Sequence, residues 1–196
     1  KVVDQGHDAM KMDPFLEMQP FHTMYQDGQI SAAGENLGCD ITAAVREAVG
    51  PDVEVLIDAH GHYNVATAVR LGNRLYDESK IDWFEEPCPP EGVDALRSVR
   101  QQLRAPMCTG ERLFTRWDYS RILQEGLTDF IMPDVTWTGG ISETKKIATM
   151  AETYYIPISP HNAQGPGQIM AGAHVSMSTP NFYRLEHALD FKPGYD

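Results

Sequence analysis

The sequence has few cysteines, few basic residues and no long apolar run. Its three cysteines, Cys39, Cys88 and Cys108, are unevenly spaced and form no CxxC pair. Neither a disulfide framework nor a zinc knuckle is therefore indicated, and we expect a reducing, cytoplasmic location. Because no apolar run approaches the length needed to cross a bilayer, no membrane association is expected.

The sequence contains fewer basic than acidic residues: 16 Lys and Arg compared with 28 Asp and Glu, which gives a formal net charge of -12. This excess argues against nucleic acid and against anionic membrane surfaces as partners. An anionic small molecule stays possible, because a bound divalent cation reverses the local field. The glycine-rich phosphate turn that is typical of an open doubly wound sheet is also missing from the first strand region.

Short apolar runs alternate with amphipathic stretches along the whole chain. Strands are predicted at 9–12, 53–57, 83–84, 106–108, 130–132, 157–159 and 182–185. Helices are predicted at 41–49, 64–76, 91–103, 117–124, 142–154 and 168–176. Asp40 and Asn64 are the expected N-caps of the first two helices, and residues 14–40 are expected to be irregular.

Strands that alternate with helices predict βα units and a parallel sheet. The predicted fold class is α/β, a TIM-type (β/α) barrel that forms one domain over residues 1–196. An eight-stranded barrel needs one strand more than the seven predicted, so we expect the first strand to lie outside this chain. An open doubly wound sheet is the structural alternative.

Acidic or histidine side chains end successive predicted strands at a nearly constant interval. The series is Asp58, Glu85, Glu111, Asp134, His161 and Glu186. In a barrel of βα units the chemistry lies where the strands end. The series therefore predicts one shared site.

Three carboxylates open this series, namely Asp58, Glu85 and Glu111. In one site they would repel each other strongly unless a cation joined them. Hard oxygen ligands without cysteine suit Mg²⁺, so we predict one magnesium ion on these residues. Glu86 faces away from Glu85 along an extended strand and is expected to make a structural contact.

Two histidines are candidates for proton transfer. His161 ends the strand that follows the one ending at Asp134, and an acidic neighbour is the usual partner of a histidine base. His60 lies two residues after Asp58 and can face the same side if the strand geometry persists.

Short strings along the chain resemble the enolase superfamily, in its mandelate racemase subgroup, and most closely its galactonate dehydratases and related sugar-acid dehydratases. They are DAH at 58–60, FEEP at 84–87, TGER at 109–112, GERLFTRWD at 110–118, PD at 133–134 and PHN at 160–162. The resemblance implies the modified TIM-type barrel of that superfamily, with Mg²⁺ on the carboxylate trio. It also implies a homo-oligomer and a separate N-terminal capping domain, to which nothing in this chain corresponds.

The same resemblance implies roles for single residues. His161 would be the base, assisted by Asp134, and His60 the general acid. Glu186 would bind the substrate or the enolate oxygen. Lys11 and Asp13 are further candidates for contact with the substrate.

The string Lys11-Met12-Asp13 departs from the Lys-x-Lys of many racemases in the subgroup, whose second lysine is a base. A two-base racemase is therefore disfavoured. The expected reaction is dehydration of a sugar acid, an aldonate such as galactonate, to a 2-keto-3-deoxy acid. The alternatives are a racemase, epimerase or cycloisomerase of the same superfamily, or a zinc hydrolase of the amidohydrolase type, suggested by His60-Gly61-His62.

Overall fold

The computed structural model describes residues 2–15 and 28–187. The chain divides into two compact units, Lys1–Met107 and Cys108–Asp196. In the described part of the chain, no helix combines the length and the apolar character required to cross a membrane. Residues 16–27, part of the stretch predicted to be irregular, lie outside the described residues.

The first unit contains the parallel strands β1 (Ala9–Met12), β2 (Glu54–Asp58) and β3 (Trp83–Glu85), which are adjacent in chain order. The register pairs Met12 with Ile57 and Asp58 with Glu85. Side chains on both faces of β3 are buried, as expected for a parallel sheet that is covered on both sides. The carboxylates that end β2 and β3 are therefore direct neighbours.

Among the described residues of this unit, three helices accompany these strands: α1 (Ala32–Val49), α2 (Val65–Ser79) and α3 (Val93–Arg100). A short 3-10 turn at Val3–Gln5 precedes them. The predicted cap of α2 is confirmed, because the Asn64 side chain accepts a hydrogen bond from the Thr67 backbone N–H.

The prediction for the start of α1 was wrong. The helix begins nine residues earlier than expected, and Ser31, not Asp40, is its N-cap, accepting from the Gly34 backbone N–H. Glycine is a poor helix former, which made this stretch look irregular. Gly38 is explained by packing, since a Cβ there would lie 1.9 Å from the Phe15 ring.

The second unit contains β4 (Met107–Thr109, whose first residue closes the first unit) and β5 (Phe130–Ile131), which pair in parallel. Beyond β5 the ladder continues as single parallel bridges, Ile131 to Ile158 and Ile158 to Phe182. The strands predicted at 157–159 and 182–185 are thus present only as bridges. Pro157 and Pro160 lack the N–H that a longer ladder would need.

The helices of this unit are α4 (Thr115–Gln124), α5 (Ile141–Glu152) and α6 (Pro166–Met177). Helix α5 contacts both α4 and α6. The predicted alternation of strands and helices is therefore confirmed within each unit. The glycine at position 110, after β4, has φ +135°, a conformation that favours glycine.

Candidate active site

Asp58 and Glu85 form a buried carboxylate pair at the ends of β2 and β3. The Lys11 ammonium of β1 lies 3.0 Å from Asp58 Oδ2 and 2.9 Å from Glu85 Oε1. Burial raises the pKa of Asp58, but the charges of Lys11 and His60 and a hydrogen bond from the His60 backbone outweigh it, so this pKa lies below its usual value. Asp58 is therefore ionised at neutral pH, and the Lys11 ammonium contacts both carboxylates of the pair.

His60 reaches the same carboxylate, although the strand geometry does not persist to it. Its φ is +47°, and the turn is held by the Gly61 backbone N–H, which donates to the Glu86 carbonyl at 2.7 Å. His60 Nε2 lies 3.4 Å from Asp58 Oδ2, and Nδ1 lies 2.9 Å from Asp13 Oδ2. The side chain is 39% exposed, so a small molecule can reach it.

Asp13 fixes the orientation of this histidine. Its carboxylate is almost fully buried and also accepts from the Phe15 backbone N–H at 2.8 Å. An ionised carboxylate only accepts hydrogen bonds, so Nδ1 of His60 carries the proton of this contact. Nε2 is then the atom at which His60 can exchange a proton.

His161 and Asp134 form a second, buried pair in the other unit. The two residues face each other in a parallel bridge, and His161 Nδ1 lies 2.7 Å from Asp134 Oδ2. Asp134 Oδ1 accepts from the backbone N–H and the hydroxyl of Thr136 at 2.7 and 2.5 Å. Burial raises the pKa of Asp134, but the hydrogen bonds from His161 and Thr136 and the His161 charge outweigh it, so this pKa too is below its usual value.

Two further carboxylates lie near the outer nitrogen of His161. Nε2 is 3.3 Å from Glu111 Oε2 and 3.8 Å from Glu186 Oε2. Glu186 also accepts from the Asn162 backbone N–H at 3.1 Å. The loop that carries Glu111 is held by the Tyr119 hydroxyl, which donates to the Gly110 carbonyl. Nε2 of His161 thus lies against the acidic side chains of a buried cluster.

The residues predicted for the site fall into these two groups. Lys11, Asp13, Asp58, His60 and Glu85 contact one another in the first unit, and Glu111, Asp134, His161 and Glu186 do so in the second. Their contacts are observed, whereas their roles stay predictions.

The sequence reasoning missed Gln168, which lies beside His161. Its Nε2 donates to Asp134 Oδ2 at 2.6 Å, and no local pattern marks it, because the contact joins residues 34 positions apart. The Trp137 ring also lies beside His161, 5.8 Å from the His161 ring between centroids. Its position three residues after Asp134 is the sequence signal that makes it a candidate for lining the pocket.

Known proteins resemble the chain over its whole length. The family model for enolase C-terminal domain-like proteins matches residues 1–196. A D-gluconate dehydratase of Thermoproteus tenax is 36% identical over 193 residues, covering 98% of this chain and 37% of that protein. A D-galactarolactone cycloisomerase of Agrobacterium fabrum is 42% identical over 147 residues, covering 74% of this chain and 38% of that protein.

A solved structure agrees with the sequence relatives. A mandelate racemase/muconate lactonizing enzyme-like protein from Rubrobacter xylanophilus superimposes with a TM-score of 0.91 at 39% identity, covering 99% of this chain and 49% of that one. This chain thus spans half or less of the length of these relatives. The predicted resemblance and the predicted TIM-type α/β class are confirmed: the chain belongs to the enolase C-terminal domain-like family.

Proposed function

We propose that the protein to which this chain belongs is a magnesium-dependent sugar-acid dehydratase, a lyase that eliminates water from an aldonate. The buried His161–Asp134 pair, with His161 Nε2 turned toward two further carboxylates, carries this proposal. The similarity to a protein named as a D-gluconate dehydratase supports it. The product would be a 2-keto-3-deoxy sugar acid.

We propose that Asp58, Glu85 and Glu111 hold one Mg²⁺. All three are buried at or just beyond the ends of parallel strands, and they offer only oxygen donors, which Mg²⁺ prefers. The position of the Lys11 ammonium against Asp58 and Glu85 supports this fit, because it shows that the pair accepts a cation. The ion would polarise the substrate carboxylate and make the adjacent C–H more acidic.

His161 is the proposed base. Its Nε2 would take the proton alpha to the carboxylate, while Nδ1–H remains bonded to Asp134. The charge that develops on the imidazole is stabilised by this carboxylate. Because both side chains are buried, the attraction is weakly screened by solvent.

His60 is the proposed acid, and its Nε2 would give a proton to the departing β-hydroxyl. Two histidines of the proposed site have an aspartate as partner: Asp13 contacts Nδ1 of His60, and Asp134 contacts Nδ1 of His161. Lys11 and Asp13, together with Glu186, are the proposed contacts to substrate oxygens. The Lys11 ammonium suits the substrate carboxylate.

The test is to incubate the whole protein with Mg²⁺ and a panel of aldonic acids and to detect 2-keto products with semicarbazide. We expect product from at least one acid and none after His161→Asn. The matched control is His174→Asn, because His174 is exposed on α6 and should keep turnover. Absence of product from every acid, or turnover by the His161→Asn variant, would contradict the proposal.

A cycloisomerase is the second candidate, because the relative named as a D-galactarolactone cycloisomerase is 42% identical. Mass spectrometry separates the two reactions: dehydration gives a product lighter by one water, and cycloisomerisation gives a product of unchanged mass. A two-base racemase has less support, since Asp13 stands where the second lysine of Lys-x-Lys would be. The zinc hydrolase alternative has no support from the family assignment and is not proposed.

Three further predictions belong to the whole protein and stay predictions. They are a single barrel domain over residues 1–196, a cytoplasmic location and a homo-oligomeric state. Sedimentation of the purified protein measures the last of these.

A further inference from the structure

Gln168, the third residue of α6, forms hydrogen bonds with both the nitrogen and the oxygen of its side-chain amide, in the buried surroundings of His161. Nε2 donates to Asp134 Oδ2 at 2.6 Å and to the His161 carbonyl at 3.2 Å. Oε1 accepts from the Gln164 backbone N–H at 2.7 Å. The residue is only 4% exposed, so water is a poor substitute for these bonds.

The chemistry of the partners fixes the orientation of this amide. A carboxylate and a carbonyl oxygen can only accept, and a backbone N–H can only donate. Turning the amide over would bring Oε1 against Asp134 Oδ2 and an NH₂ group against the Gln164 N–H, which would lose every bond. The loop before α6 therefore holds Gln168 with its donor end toward Asp134.

Gln168 and His161 form hydrogen bonds to the same oxygen of Asp134. Oδ2 accepts both from Gln168 Nε2 and from His161 Nδ1, while Oδ1 accepts from Thr136. Hydrogen bonds to an ionised oxygen are short and strong. With both oxygens bonded, rotation of the carboxylate is opposed from both sides, and so is movement of the imidazole bonded to it.

We propose that Gln168 is a positioning residue that holds the Asp134 carboxylate in place and through it aims His161 Nε2. This rests on the proposed role of His161 as the base. Gln168 has no contact with a reacting atom in this arrangement, so it acts only through the pair. Loss of the partner that orients a metal-bound histidine typically lowers activity about 10- to 100-fold, and we expect an effect of the same order for the partner that orients this base.

The test uses Gln168→Met, which keeps the length of the side chain and removes all three bonds. We expect kcat for the substrate found in the aldonate panel to fall about 10- to 100-fold, with KM changed less than about threefold. Gln124→Met on α4 is the matched control, because Gln124 is an exposed helical glutamine. It should leave both constants unchanged.

A second readout separates positioning from a purely structural role. In protein labelled with ¹⁵N-histidine, the His161 Nδ1–H proton should give a low-field signal that is assigned by its loss in His161→Asn. We expect Gln168→Met to shift or broaden this signal while circular dichroism stays unchanged. If the methionine variant does not fold, Gln168→Asn, which shortens the amide by one methylene, answers the same question.

An unchanged signal together with kcat within twofold of wild type would overturn the proposal. The signal also makes the two proposals separable. If wild type converts no aldonate, the dehydratase proposal fails, yet the shift in Gln168→Met still decides whether Gln168 positions His161.

Discussion

Replacing Lys11 by methionine tests the electrostatics of the carboxylate pair most directly. The substitution keeps the unbranched stem and removes the ammonium that lies 3.0 Å from Asp58 and 2.9 Å from Glu85. The lysine side chain is 15% exposed, and the two acids are 3% and 0% exposed, so solvent screens the lost attraction little. Breaking a buried ion pair by removing one partner costs about 3–5 kcal/mol, and this is the loss that we expect in the free energy of unfolding.

The assay is urea unfolding of the whole protein at neutral pH, followed by circular dichroism, with EDTA and with excess Mg²⁺. A ligand at 100 times its Kd stabilises the folded state by about 2.7 kcal/mol. We expect Mg²⁺ to stabilise Lys11→Met more than wild type, because the ammonium no longer competes for the same carboxylate oxygens. Lys146→Met is the control, since this lysine is largely exposed and lies 3.9 Å from its acidic neighbour, and it should show no resolvable change.

Acidification gives an internal check of the same reasoning. Without Lys11 the pKa of Asp58 rises, because one of the charges that lowers it is lost. The variant can then neutralise the pair by taking up a proton, so its deficit should shrink as the pH falls. A loss below about 1 kcal/mol in EDTA at neutral pH, the scale of an exposed ion pair, would refute the reasoning. So would equal stabilisation of both proteins by Mg²⁺.

Two further substitutions test a helix cap and the second carboxylate group. Asn64→Ala removes the side chain that accepts from the Thr67 backbone N–H and should lower the free energy of unfolding by about 1 kcal/mol; Asn64→Asp, which keeps the acceptor, should lose less. The pKa of Asp134 is lower in the folded protein than in the unfolded chain, so the ionised carboxylate stabilises the folded state at pH values above the unfolded pKa. This stabilisation is lost as the pH falls through the pKa of the folded state. Between about pH 5 and pH 2 the free energy of unfolding should therefore fall less in Asp134→Asn than in wild type, and equal slopes in urea titrations would contradict this assignment.

Local patterns were sufficient where a segment depends on its own residues. The bounds of β1 and the cap at Asn64 agree with the prediction, since an apolar run and a capping side chain act within a few residues. The contact between His161 and Asp134 also agrees. It follows from the rule that parallel strands bring their carboxyl ends together.

Local patterns failed where a distant partner decides. Residues 14–40 were predicted to be irregular, but α1 begins at Ala32 and runs through Gly34 and Gly38. The close approach of the Phe15 ring explains the glycine at position 38. The two last predicted strands shrink to single bridges, because the ladder length depends on which neighbouring N–H groups are available.

The sequence by itself determined the βα alternation and the polar residues that end the strands, because hydrophobic period and turn residues are local properties. Only the tertiary structure decided that Lys11 lies against Asp58 and Glu85, and that Gln168 bonds to Asp134. These contacts join residues 47, 74 and 34 positions apart. Local sequence patterns extend over only a few residues and cannot predict contacts between residues so far apart in the chain. The packing of helices and strands brings these residues together.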